Sequence, residues 1–335
     1  MRSTALTVLW STGPLKPDDN PYLHQLMAGV REQVTVLPLS TKAALLTRPD
    51  VFHVHWPHQL YRAAGWPKTL IKRVLSTWLL LRLRARRVPV VLTVHNRASH
   101  EREGGFEGWM LRLLERLITT RIYLNAAADN DLTQGVVMLH PDYRDWLTAH
   151  GALGAGSPGA EVEAERDVVL FGMLRPYKGI EALLDAATAA GATLTVTGRA
   201  LDPDYGRALA ERFAGAATAE LDERHRDDTE LVAEIRRHRL VCLPYPHMYN
   251  SGALLYALSV GRPVLVPSSG ANEAIAAEVG ADWVMLYDGD LTGEVVADAL
   301  RRVPDSGGPD LSKRDWPTHI AAHVALYREL AARRG

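Results

Sequence analysis

Leu243-Pro-Tyr-Pro-His-Met-Tyr-Asn-Ser-Gly-Ala-Leu-Leu-Tyr-Ala-Leu-Ser-Val-Gly-Arg-Pro-Val-Leu-Val-Pro267 fixes the fold class. The apolar run 240–244 opens into a polar loop, a helical pattern runs from Gly252 to Val260, and a second apolar run, 263–267, ends at Pro267. Gly261 just after the helix and Pro263 at the start of the next run are the expected stop signals. Strand, loop, helix, turn and strand in so few residues make a βαβ unit, which joins parallel strands. Ser251 and Gly252 stand at the helix start, where a small cap leaves backbone N–H groups available to an anion.

Upstream, Phe171-Gly-Met-Leu-Arg-Pro-Tyr-Lys-Gly179 repeats the theme. It leaves a strand, turns at Pro176 and opens a helix at Gly179, whose unpaired amides and dipole favour negative charge. Arg175 and Lys178 place two fixed cations beside that terminus, an arrangement suited to a diphosphate. On its own, the segment reads equally well as a loop with two solvated basic residues.

Working outward, strands are expected at 167–171, 193–197, 240–244 and 263–267, with helices at 180–190, 205–213, 229–237 and 252–260. Residues 151–164 (GALGAGSPGAEVEA) lack an apolar period and read as a linker. Before it, strands at 6–10, 34–39, 51–55, 88–94, 121–125 and 136–139 alternate with helices at 22–30, 67–86 and 108–119. Two doubly wound α/β halves follow, residues 1–152 and 165–312, with a ligand cleft expected between them at the carboxyl ends of both sheets. A last helical pattern, in the segment 313–335, is expected to pack back on the first half.

The length of 335 residues suits two domains, and 47% hydrophobic with 23% charged residues is ordinary globular composition. One cysteine, Cys242, excludes an intrachain disulfide and a cysteine-built zinc site. With no secretory h-region and no apolar run of about 20 residues, a cytoplasmic location is expected. The net charge of −1 divides into +7 over residues 1–155 and −8 over 156–335, so the first half is the one suited to an anionic partner or surface.

Taken together, these segments resemble the GT-B glycosyltransferases of the group-1/family-4 type. The chain is more closely similar to bacterial exopolysaccharide glycosyltransferases of the GDP-mannose:glycolipid β-1,4-mannosyltransferase kind. Asn20-Pro-Tyr22, His53-Val-His-Trp-Pro57, Thr93-Val-His-Asn96, Ser99-His-Glu101, His140-Pro-Asp-Tyr143, Arg175-Pro-Tyr-Lys-Gly179 and Ser251-Gly252 carry the resemblance in the same order along nearly the whole chain. It implies two facing Rossmann-like domains, acceptor on the first and nucleotide-sugar donor on the second. Arg175 and Lys178 would neutralise the leaving diphosphate, with Gly179, Ser251 and Gly252 contributing backbone at the two helix starts. Family-4 members usually carry two glutamates eight positions apart; anchored on Gly261-Arg-Pro263, those positions hold Met248 and Tyr256. Glu273 is a candidate for part of their sugar-binding work, and reads equally as a first-turn carboxylate complementing a helix dipole.

Sugar transfer needs a stabilised leaving diphosphate and a positioned acceptor hydroxyl, and inversion adds a general base. The loop 93–103 (TVHNRASHERE) gathers His95, His100, Glu101 and Glu103 after a strand. His100 or Glu101 is the first choice of base, with His95 and Asn96 lining the sugar site; a solvated polar loop is the bland alternative. Asn20, His55 and Trp56 are expected in the acceptor cleft. His53, His55 and His58 suggest a metal, but no carboxylate accompanies them, and core or acceptor-lining roles fit better. Asp129-Asn-Asp131, Asp202-Pro-Asp204 and Asp288-Gly-Asp290 match a metal-binding pattern too cheap to carry weight, so neither a cofactor nor an obligatory metal is expected.

The stretch 67–87, from Pro67 to Arg87, puts Leu70, Ile71, Val74, Leu75, Trp78 and Leu79 at helical spacing among seven basic residues. No acidic residue occurs between Asp50 and Glu101. It reads either as a basic amphipathic helix on an anionic membrane surface, which would make the protein peripheral to the inner membrane face, or as a core-facing helix with a basic outer side. No nucleic-acid-binding module accompanies the charge. The leading function is transfer of a sugar, with GDP-mannose the first-choice donor, to a lipid-linked or polysaccharide acceptor. The alternatives are a UDP-sugar transferase with a soluble acceptor and a catalytically silent nucleotide-sugar-binding protein of the same fold.

Overall fold

The structure, a computed structural model, describes residues 6–16, 19–95, 105–127, 129–154, 164–246 and 248–334. Two compact units form: Met1–Pro141 with Arg314–Gly335, and Asp142–Lys313.

In the first unit, β1 (Thr7–Trp10), β2 (Thr35–Pro38), β3 (Val51–Val54), β4 (Val90–Val94), β5 (Ile118–Tyr123) and β6 (Gly135–Val137) make one sheet in the order β2-β1-β3-β4-β5-β6. Every pairing is parallel. Alternation along the strands assigns side chains to the two faces. Val8, Trp10, Val51, Val91 and Ile122 enter one core, while Leu9, Phe52, Val54, Val90 and Leu92 enter the other. Both faces are therefore covered, which is why β3 is buried at all four positions. Helix α1 (Pro21–Arg31) and the C-terminal helix (Trp316–Ala332) cover the first face. Helices α2 (Thr41–Leu46), α3 (Trp66–Ala85) and α4 (Gly105–Glu115) cover the second. The C-terminal helix sits so close to α1 that a Cβ on Gly29 would lie 2.1 Å from Ile320 Cδ1.

In the second unit, β7 (Arg166–Phe171), β8 (Leu194–Thr197), β9 (Ala219–Asp222), β10 (His238–Cys242), β11 (Val264–Pro267) and β12 (Val284–Tyr287) order as β12-β11-β10-β7-β8-β9, again all parallel. This is the doubly wound dinucleotide-fold order, with its reversal between β7 and β10. Around it lie α5 (Arg144–Ala149), α6 (Ile180–Ala189), α7 (Pro203–Phe213), α8 (Asp228–Arg236), α9 (Gly252–Ser259), α10 (Gly270–Val279) and α11 (Gly293–Arg302).

The division between units falls at Pro141/Asp142, ahead of the stretch read as a linker, of which residues 155–163 lie outside the described residues. The reason is α5. Tyr143, Leu147 and Leu153 pack into the second core, the Tyr143 N–H donates to Ser259 Oγ at 2.9 Å, and the Trp146 indole donates to Asp228 at 2.7 Å. The helix expected over 108–119 ends at Glu115, and β5 starts at Ile118 rather than at 121. Ile118, Thr119 and Thr120 are β-branched and favour the strand, a preference that the apolar period of the segment hides.

Candidate functional site

In an open parallel sheet, the ligand crevice forms outside the carboxyl ends of the strands, where the order reverses. In the second unit the segments leaving β7 and β10 flank that point, and they are the two on which the sequence reading turned. Arg175 opens a 3-10 turn, Pro176–Lys178, and Gly179 caps α6 with φ 66°. A Cβ at Gly179 would lie 2.8 Å from the Pro244 carbonyl oxygen. Glycine is thus needed twice there, for the left-handed backbone and for the close packing of the two exit loops.

Lys178 is 7% exposed. Its ammonium lies 3.4 Å from the Phe171 carbonyl and 5.0 Å from the centre of the Tyr245 ring. Among the described residues no carboxylate pairs with Lys178 or Arg175. Burial, reinforced by Arg175, lowers the Lys178 pKa to about 8. A buried ammonium is costly unless a counter-charge meets it. The fold keeps this ammonium buried beside an aromatic ring and a backbone carbonyl.

On the β10 side, Ser251 caps α9 by accepting from the Leu254 N–H at 3.1 Å. The amides of Gly252 and Ala253 are the first-turn donors that a helix leaves without intrahelical partners. A Cβ at Gly252 would lie 2.9 Å from Tyr143 Oη, so only a small residue fits between α5 and α9. Glu273 is exposed in the first turn of α10, which starts after β11 under a Ser269 cap. Met248 and Tyr256, at the family glutamate positions, are both buried, and the Tyr256 hydroxyl donates to Asp228 at 2.9 Å. These two side chains serve packing and an internal hydrogen bond.

In the first unit the order reverses between β1 and β3. A polar cavity of 610 Å³ opens there, lined by Ser11, Asn20, Trp56, His58, Gln59 and Lys72 among others. Asn20 also caps α1, accepting from the Tyr22 N–H at 2.9 Å. Trp56 stacks on His95, with ring centroids 4.3 Å apart and planes 16° apart. His95 Nε2 is 3.3 Å from His55 Nδ1. Behind this pair is a nest of buried imidazoles. His53 bonds Tyr327 Oη at 2.5 Å and Thr93 Oγ1 at 2.7 Å, and His319 Nε2 bonds Tyr22 Oη at 3.1 Å. His140 and His323 complete it, each bonded through Nδ1 to a backbone carbonyl. Desolvation holds His95 down to about 3 and His140 and His323 to about 4, with His53, His55 and His319 also far below 6.5. These rings are neutral at pH 7. His95 is thereby a poor proton acceptor and poorly suited to serving as a base.

His100, Glu101 and Asn96 lie outside the described residues. His55 is under the cavity rather than on its wall, while His58, for which a core or acceptor-lining role was expected, lines it together with Gln59 and Ser11, which sequence reasoning did not single out as site residues. Their positions just beyond β1 and β3 would have identified them had the strand order been known. Tyr245, beneath the Lys178 ammonium, was likewise missed. Among the described residues no three His, Cys, Asp or Glu side chains converge on a metal-binding arrangement. Asp131 accepts from Thr133 and Asp202 caps α7, so two of the three Asp-x-Asp matches have local structural work.

Helix α3 presents its surface differently. Trp66, Leu70, Ile71, Val74, Trp78 and Leu81 are exposed along it. Lys68, Arg84, Arg86 and Arg87 are exposed beside them. No helix among the described residues is long and apolar enough to cross a membrane.

No protein-family model matches the chain. Two curated proteins of Xanthomonas campestris pv. campestris, both GDP-mannose:glycolipid 4-β-D-mannosyltransferases, are 37% and 36% identical over 336 aligned residues, covering 98% of this chain and 94% of each relative. Among solved structures, the sucrose-phosphate synthase of Thermosynechococcus elongatus superposes with TM-score 0.64 at 14% identity, covering 98% of this chain and 100% of that one. AviGT4, a glycosyltransferase involved in avilamycin A biosynthesis, superposes with TM-score 0.58 at 17% identity, covering 98% of both chains. At these identities the structural matches speak for the GT-B fold.

Proposed function

The chain belongs to the family of GDP-mannose:glycolipid 4-β-D-mannosyltransferases and is a glycosyltransferase, and on that premise we propose that it moves a mannosyl group from GDP-mannose to a glycolipid acceptor in exopolysaccharide assembly. The observation that carries the reading is the buried Lys178, without a carboxylate partner among the described residues, beside Arg175 at the strand-order reversal of the second unit. In sugar transfer the negative charge grows on the leaving nucleoside diphosphate, and cations fixed in a poorly solvated site stabilise that charge without reorganising. Arg175 and Lys178 supply the cations. The first amides of α9, those of Gly252 and Ala253 after the Ser251 cap, supply donors to the same phosphates.

The acceptor hydroxyl enters the polar cavity of the first unit, which Asn20 and Trp56 line, with His95 stacked on Trp56; Asn96 is assigned to the same sugar site. His100 or Glu101 takes its proton. Because Met248 and Tyr256 are buried in place of the usual glutamates, the mannosyl hydroxyls are met elsewhere, and exposed Glu273 is assigned part of that contact.

The exposed apolar and basic residues of α3 support seating on the cytoplasmic face of an anionic membrane, where a glycolipid acceptor resides. Thermal midpoints measured with GDP, GDP-mannose, UDP and UDP-glucose test the donor assignment. The guanosine compounds should raise the midpoint, and Arg175→Ala should remove the effect. Stabilisation by the uridine compounds alone, or by none, contradicts the assignment.

A further inference from the structure

We propose that the groove between α2 and α3 seats the lipid chain of the acceptor, with Lys68 and Lys72 holding the phosphate that joins the chain to its sugar; this rests on the glycolipid-acceptor reading above. The groove has a volume of 320 Å³ and mainly apolar walls, among them Leu39, Ala44, Ile71, Leu75 and Leu79. That volume is in the range of small-molecule sites, about 300–1,000 Å³.

The groove and the 610 Å³ polar cavity adjoin, sharing Ser11, Gly13 and Lys72 as lining residues. Chemistry therefore changes along one path, from apolar groove to ammonium to a polar cavity carrying Asn20, Trp56 and Gln59. A lipid phosphate sugar changes in the same order, from chain to anion to hydroxyls. Lys68 is exposed at the groove and Lys72, one turn on, lines both spaces. No aspartate or glutamate lines the groove, and of the residues lining the polar cavity Asp19 is acidic, its carboxylate accepting from the Lys16 N–H.

The groove is built rather than a loose gap. The Arg82 guanidinium donates to the carbonyls of Ala44, Leu45 and Thr47 at the end of α2, and it lies 5.0 Å from the centre of the Trp78 ring on α3. Beyond the groove, Leu70, Val74 and Trp78 stay exposed along α3 and give an apolar route from a bilayer into it.

Equilibrium binding of radiolabelled geranylgeranyl diphosphate to the full chain, with saturating GDP occupying the second unit, tests the site. The probe should bind, and inorganic pyrophosphate and geranylgeraniol should each compete about tenfold less well, since each offers half of the recognised chemistry. Ile71→Glu, at a position 61% exposed and therefore tolerant of change, and Lys72→Gln should each weaken binding by about tenfold with an unchanged thermal midpoint. Competition by pyrophosphate as strong as by the lipid, or unaltered binding in both variants, overturns the groove.

The acceptor reading fails separately. If Ile71→Glu transfers sugar to extracted glycolipid with the wild-type acceptor KM, the groove falls and the transferase assignment stands. If the probe binds as expected and no sugar reaches any lipid, the groove stands as a lipid phosphate site and the acceptor assignment falls.

Discussion

Lys178→Met removes a charge that the fold holds at a cost. The ammonium sits over the Tyr245 ring with no carboxylate partner among the described residues, and its pKa falls from 10.5 to about 8. That depression corresponds to roughly 3 kcal/mol of disfavoured charge at pH 7. Losing the cation–π contact offsets about 0.5–1 kcal/mol of it. The nucleotide-free variant should therefore be more stable by about 2 kcal/mol, a rise of roughly 4–8 °C in melting temperature for a unit of this size.

The same change should weaken GDP binding by roughly 2–4 kcal/mol, or about 30- to 1,000-fold, because the diphosphate loses a poorly solvated cation. A pH series adds an independent check. Because the folded pKa lies below the unfolded one, the unfolded chain binds the extra proton between about 8 and 10.5, so wild-type stability should rise with pH across that window and be complete above it. The variant should lack this rise. Scanning fluorimetry with and without GDP, at pH 7 and pH 10, reads all three effects. A variant that melts lower than wild type without nucleotide, or that keeps the full GDP response, refutes the argument.

Further outcomes follow from the same geometry. Gly179→Ala should destabilise the second unit by at least about 1–2 kcal/mol in urea denaturation, because φ 66° and the Pro244 carbonyl at 2.8 Å both oppose a Cβ; an unchanged midpoint contradicts this. The histidine nest should make the first unit acid-labile. Its rings take protons in the unfolded chain near pH 6.5 but in the folded one only near 4 or below, so unfolding free energy should fall from pH 7 to pH 4.5, and a flat profile counts against it. Tyr256→Phe, which removes the bond to Asp228, should cost about 1 kcal/mol of stability and leave the donor KM unchanged; a raised donor KM would give Tyr256 a role at the sugar. Flotation with anionic vesicles should drop when Arg84, Arg86 and Arg87 become Glu, each worth about 1 kcal/mol near the surface, and unaltered flotation rules out that face.

The sequence made the second unit more legible than the first. Its two decisive loops carry their chemistry within nine and twenty-five consecutive residues, and glycine and proline mark the turns between strand and helix. The backbone demand at Gly179 and the positions of Arg175 and Lys178 are local facts, visible without the fold. What lay hidden was long-range. Tyr245 reaches Lys178 from the loop after β10, and Tyr143 joins the second core across the expected boundary through Ser259, 116 residues away.

In the first unit, local patterning located the strands but not their order, and the order decides which loop ends meet at a cavity. His53 and His55 sit two residues apart on one face, as alternation requires. The partners of His53 come from β4 and from the C-terminal helix, 40 and 274 residues away. Periodicity likewise identified α3 as amphipathic without telling which apolar residues face the core. Leu79, Leu80 and Leu83 do, while Leu70, Ile71, Val74 and Trp78 remain outside.

The most direct test of the central claim is transfer of radiolabel from GDP-mannose into the lipid-extractable fraction of membranes supplied with the purified chain. Label should enter the lipid fraction with the wild-type protein, stay in the aqueous phase with Lys178→Met, and fail to enter from labelled UDP-glucose. Lipid labelling that persists undiminished in Lys178→Met, or that comes from UDP-glucose and not from GDP-mannose, contradicts the account.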